Sequence, residues 1–327
     1  MLNVAGPLLA QYENSSAERR TDTISVKKMK VVAYVPNWTN LFVNPGLIEY
    51  SKLTHINIAF ENPDNAGNLS WNPGNQALIE KAHENGVKVL VSIGGGAESG
   101  DSVIREKYFR LINDSNRYEF VSKISAYIVY HNLDGLDVDL EGPAINSDYG
   151  DFIRVLSDTL KPRGKILTTA LSRGYGGTKV TDETLQYFDF INIMAYDATG
   201  PWNRKNAGQH SSYALAESHL KYWKSRGLSQ EKAILGVPFY GYGFRKDYSQ
   251  QTFSYSYLLE NYSRADKKDK VGRRIYYNGI PTIKRKTRLA MQQGGGIMIW
   301  ELSSDEFGTK SLLLAIDQVI KEMDYSL

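Results

Sequence analysis

From Val31 onward, short runs of apolar and β-branched residues alternate with longer stretches in which apolar positions recur every three to four residues. The short runs, at residues 31–35, 54–60, 87–92, 135–140, 166–171, 190–195, 234–239 and 296–300, predict eight strands. Between them, residues 75–85, 102–130, 147–160, 181–187, 213–226, 281–292 and 310–323 predict helices. The first connection, 44–53, leaves room only for a small helix. Asn85-Gly86 and Arg226-Gly227 read as helix ends, and Pro162-Arg163-Gly164 as a break before a strand. Strand–helix alternation argues for a parallel α/β sheet. Eight such units argue for a closed (β/α)8 TIM barrel rather than an open doubly wound sheet.

Two regions depart from this rhythm. Residues 1–29 are mildly apolar and then polar, and read as a flexible leader or linker. They lack the basic start and long apolar centre of a signal peptide. The barrel domain is therefore expected over 30–327. Residues 245–280 are polar and Tyr-rich, too long for an ordinary connection, and predict a small hairpin around 274–283 turned by Asn278-Gly279. This is the only insertion expected, a small one between strands seven and eight.

Composition narrows the chemistry. The absence of Cys removes disulfides, thiol catalysis and iron–sulfur clusters. A net charge of +3 is too small to argue for nucleic acid, and no run approaches the roughly 20 apolar residues of a membrane span. Five His residues show no metal spacing. Gly174 to Lys179 imitates a phosphate loop only superficially, because its Lys follows Thr. Residues 267–274 read as a solvated basic loop, with a polyanion site the lesser alternative.

The informative segment is Asp134-Gly-Leu-Asp-Val-Asp-Leu-Glu141. Alternation along a strand sends Asp137, Asp139 and Glu141 to one face, ~6.5 Å apart, and Leu136, Val138 and Leu140 to the other. The apolar set suits outer helices, so the carboxylates face the barrel interior. Burial and mutual repulsion make that costly for stability, and both raise carboxyl pKa values. A solvated strand face would not carry Leu, Val and Leu opposite. A hard-cation site is possible, but no second acid cluster matches it. Proton chemistry is the best of the three readings.

Asp-Gly-x-Asp-x-Asp-x-Glu at the end of a fourth barrel strand resembles the signature of family 18 glycoside hydrolases, the chitinase family. Four further segments resemble that family in order: Ser92-Ile-Gly-Gly95, Met194-Ala-Tyr-Asp197, Gly236-Val-Pro-Phe-Tyr-Gly241 and Gly295-Gly-Ile-Met-Ile-Trp300. The resemblance covers about residues 30–325 and implies substrate-assisted, retaining hydrolysis of β-1,4-linked N-acetylglucosamine, with no cofactor and no metal. It implies Glu141 as general acid and base, and Asp139 as the group orienting the substrate's acetamido. Asp137 would share a proton or hydrogen bond with Asp139, and Tyr196 would donate to the acetamido carbonyl. Trp300 would be the apolar floor, Asp197 would contact sugar or tune Glu141, and Tyr34 and Ser92 would hydrogen-bond beneath the aspartates. Phe60 and Met194 would line the same pocket on this resemblance, though both read more readily as packing. Trp38, Trp71 and Trp202 lie in loops where they could stack on further sugars.

The chain departs from many chitinases in Gly142-Pro143, where an aromatic commonly precedes Pro, and in its short insertion, which implies a shallower groove. A chitinase reading leads. An endo-β-N-acetylglucosaminidase on N-glycans, a peptidoglycan-type hydrolase and, less readily, a sugar-binding lectin stand as alternatives. The expected partner is a GlcNAc-containing oligo- or polysaccharide, and the expected state a monomer. Because such polymers lie outside cells, a secreted, periplasmic or cell-surface location is expected.

Overall fold

A computed structural model describes residues 29–96, 100–248 and 250–324; the expected leader, Met29 apart, lies outside the described residues. The described strands are β1 (Lys30–Pro36), β2 (His55–Ala59), β3 (Lys88–Gly94), β4 (Gly135–Asp139), β5 (Ile166–Leu171), β6 (Phe190–Ile193), β7 (Ala233–Pro238), β8 (Tyr240–Gly243), β9 (Thr252–Ser254), β10 (Lys270–Val271), β11 (Ile275–Tyr276) and β12 (Gly296–Trp300). Eight of them close a parallel barrel in the order β1-β12-β7-β6-β5-β4-β3-β2, the expected TIM barrel. All eight predicted barrel strands are present, with ends moved by at most two residues.

Barrel strands covered by helices on one side and filled by side chains on the other read as continuous apolar runs. Val31, Val89, Leu136, Val138, Leu167 and Ile191 point outward into one core shared with the helices. Each such side chain, fully buried, stabilises the fold by roughly 1.5–3 kcal/mol relative to exposure. The inward face is smaller and mixed. Val32, Tyr34, Ala170, Phe190, Ile234 and Met298 fill part of it. Ser92 pairs with Asp137 and Asp137 with Thr168, so three polar side chains fall in one inward layer across β3, β4 and β5.

The stretch predicted as one helix over 102–130 is two, Ser102–Ile112 and Arg117–Tyr130. Asn113 breaks it by competing for the main chain: its Oδ1 accepts from the backbone N–H groups of Ser115 and Asn116 at 3.1 and 3.2 Å. Arg117 is buried at the break and donates to Ile112 O at 3.2 Å, so the corner packs rather than frays.

The insertion after β7 also corrects an expectation. Asn278-Gly279 turns no hairpin; Gly279 is the N-cap of the helix Ile280–Gln293. The hairpin is β10–β11, closed through Gly272, whose φ of +54° is a left-handed conformation suited to Gly. It belongs to a four-stranded antiparallel sheet, β10-β11-β8-β9, with the short helix Tyr255–Asn261 beside it. Tyr240, Tyr242 and Phe244 from the base of this unit cluster against Trp300 at the barrel rim. No described helix is long and apolar enough to cross a membrane.

Candidate active site

Parity carries the acidic motif to the carboxyl end of β4. Asp137 is fully enclosed, Asp139 is buried, and Glu141 stands half-buried at the rim. Asp137 is held by four donors. Tyr34 Oη and Ser92 Oγ each lie 2.7 Å from its Oδ2, Thr168 Oγ1 lies 2.5 Å from Oδ1, and Asn192 Nδ2 lies 3.3 Å from Oδ1. Burial raises its pKa, and the four donors work against that rise.

Glu141 has a different environment. Burial first, and the negative charge of Asp197 second, raise its pKa to about 7. A carboxylic acid is thereby kept protonated near neutral pH, as a general acid requires. Asp197 sits at φ +59° and accepts a hydrogen bond from Tyr240 Oη, with His210 Nδ1 3.2 Å from the same Oδ1. Tyr196 is buried beside it, and burial, with the charge of Asp139 next, holds its phenol well above the ordinary range, so it remains a hydrogen-bond donor.

Trp300 and Phe60 are half-buried opposite these acids. Trp300 meets Tyr34 edge-on at 5.3 Å and Phe60 at 5.9 Å, forming an apolar shelf. Met194 packs in the barrel interior and also lines the cleft. Gly95 is explained by Phe60: at φ +98°, a Cβ here would stand 2.5 Å from the Phe60 ring. Gly142 is explained in the same way. Its φ is +53°, and a Cβ would come within 2.3 Å of the Tyr175 ring, so the loop after β5 packs an aromatic ring directly against position 142.

A cleft of about 960 Å³ opens from Glu141, Tyr196 and Asp197 toward Tyr175, Trp202 and Tyr222. Trp202 and Trp38 are both exposed, whereas Trp71 is stacked on His131 at 3.6 Å and is a packing residue. Sequence reasoning missed Thr168, Asn192 and Tyr240. Asn192 was within reach, because 192, 194 and 196 share one parity with the motif residues Met194 and Tyr196. Tyr240 was not, because its partner comes from another strand-end loop.

Residues 30–305 match the profile described as Glycosyl hydrolases family 18. The fold superposes on the GH18 chitinase ChiB from the chitin utilization locus of Flavobacterium johnsoniae with a TM-score of 0.85 and 39% identity, covering 91% of this chain and 95% of that one. It superposes on a chitinase from Bacteroides thetaiotaomicron with a TM-score of 0.79 and 29% identity, over 91% and 98% of the two chains. Among curated relatives, "Probable chitinase 10" of Drosophila melanogaster is 26% identical over 357 aligned positions, 85% of this chain but only 15% of that protein's length. With its barrel, its strand-end acids and a profile match across most of its length, the chain belongs to family 18 of the glycosyl hydrolases.

Proposed function

We propose that the protein hydrolyses β-1,4-linked N-acetylglucosamine in chitin or its oligomers, endo-wise and with retention, using the substrate's own acetamido group as nucleophile. The observation that carries this reading is the placement of half-buried Glu141 at the barrel rim beside buried Asp139 and Tyr196, with an aromatic shelf opposite, and burial there raises the Glu141 pKa as an acid catalyst needs.

In the first step Glu141 gives its proton to the glycosidic oxygen as that bond to C1 breaks. The acetamido carbonyl oxygen attacks C1, forming a cyclic oxazolinium. Asp139 stabilises the positive nitrogen, and Tyr196 positions the carbonyl. In the second step Glu141, now a carboxylate, takes a proton from water as the water oxygen attacks C1. The ring opens, and Glu141 is protonated again. Two inversions at C1 give net retention. Trp300 supports the sugar being cut. The enzyme acts where such polymers lie, outside the cytoplasm or at a cell surface.

The test is the product profile of chitopentaose, with Glu141→Gln as control. Di- and trisaccharide from wild type alone are expected, with turnover lowered by at least about 10²–10⁴-fold in the variant. No cleavage of chitopentaose by wild type would overturn the chitinase reading. New reducing ends cut from partly deacetylated polymer should all be N-acetylated; cleavage after a deacetylated sugar would overturn the acetamido mechanism.

A further inference from the structure

The cleft beyond Glu141 is built by the loops after β5 and β6 and by the helix Tyr213–Ser225, whereas Trp300, Tyr34 and Phe60 come from the opposite side of the barrel. On the proposed function, with the cut sugar on Trp300, this cleft receives the leaving part of the chain.

One group in it has no place in the mechanism. The Arg173 guanidinium lies 4.8 Å from the centroid of the Tyr222 ring, and among the described residues it forms no ion pair or hydrogen bond. Tyr222 is itself fixed, accepting from Arg226 Nη1 at 3.4 Å. Arg226 has a counter-ion in Asp182, its Nε 2.7 Å from Oδ1; Arg173 has none among the described residues. The other basic side chain on the cleft wall is His219, whose pKa is lowered to about 4 by burial first and by the Arg173 charge second, so it is neutral. Arg173 is therefore the one permanent cation among the residues lining the cleft. It rests on an aromatic face, and among the described residues no protein acceptor takes its N–H groups, which are open to a ligand.

We infer that Arg173, seated on Tyr222, is a specificity-determining residue that admits N-acetylated sugars on the leaving side of the cut and rejects glucosamine. An acetamido carbonyl can accept from the guanidinium. The ammonium of a deacetylated sugar meets a fixed like charge at close range, a difference of about tenfold or more in cleavage.

The experiment digests half-acetylated chitosan and sequences the products from their new non-reducing ends, which held the first positions beyond the cut. Wild type should show GlcNAc enriched over glucosamine about tenfold at one of the first two positions. Arg173→Gln should reduce that enrichment to about twofold or less, and Arg173→Lys, which keeps the charge, should retain most of it. Because Arg173 is exposed, the variants are expected to fold. Equal use of both sugars by wild type, or undiminished enrichment in Arg173→Gln, overturns the inference and leaves the hydrolase reading standing. Failure of wild type to cut either chitopentaose or the mixed polymer overturns both.

Discussion

Tyr34 donates its phenolic hydrogen to Asp137 Oδ2 across 2.7 Å, joining β1 to β4 through the barrel interior. Ser92, Thr168 and Asn192 complete the set, so donors from β1, β3, β5 and β6 converge on one carboxylate. An enclosed carboxylate of this kind is stable only while its partners remain.

Removing Asp137 should consequently cost more than any one of its hydrogen bonds. Asp137→Ala leaves four buried donors facing a void, and a loss of about 3–5 kcal/mol is expected in urea unfolding. Tyr34→Phe removes one donor to Asp137 and the acceptor of a longer bond from Asn192 Nδ2, and should cost about 1–3 kcal/mol. An Asp137→Ala variant within 1 kcal/mol of wild type would mean that the carboxylate is not what ties these strands together.

Glu141 makes a pH prediction with a defined sign. Its folded pKa of about 7 lies above the ordinary 4.5, so the protonated acid is present at neutral pH and disappears above it. The alkaline limb of kcat/KM should fall with an apparent pKa near 7. Asp197→Asn removes the second cause of the rise and should move that limb to lower pH; a limb that stays put or moves up would contradict the coupling. Stability follows the same linkage. The stabilisation of the protonated form is fully present below 4.5 and is lost as pH rises through about 7. Glu141→Gln should therefore be more stable than wild type at pH 9, by up to roughly 3 kcal/mol, with little difference at pH 4.

Much of this site was legible because a strand has period two. Once residues 135–140 read as a strand, the parity of Asp137, Asp139 and Glu141 followed, and a barrel wall made that face interior. The same argument extends to Asn192. Long-range partners were not legible: Thr168, Tyr240 and Arg173 gain their meaning from neighbours on other strands and loops, and a period within one segment carries no information about register between segments. The broken helix at Asn113 and the sheet after β7 were missed for a local reason. Side-chain capture of backbone N–H groups overrode helical periodicity, and strands of two to four residues are too short for alternation to show.

Lys286 extends the site's support outward. It is fully buried on the helix Ile280–Gln293, and its Nζ donates to Ser211 O, Ser211 Oγ and Asn278 Oδ1, each at 2.7 Å. Ser211 Oγ in turn donates to Ala195 O at 2.7 Å, next to Tyr196, and Ser211 follows His210 at Asp197. Lys286 thus braces the backbone at the end of β6 through Ser211. Burial lowers its pKa from 10.5 to about 7, with the charge of Asp269 opposing. Between those two values the unfolded chain binds the extra proton, so this group makes stability rise with pH. Lys286→Met should abolish that rise, lower kcat by about tenfold through displacement of Tyr196 and Asp197, and leave the alkaline limb set by Glu141 in place. Wild-type kcat in Lys286→Met would show that the buried amine does not position the motif, and an unchanged slope of stability between pH 7 and 10 in paired unfolding titrations would show that it does not titrate there.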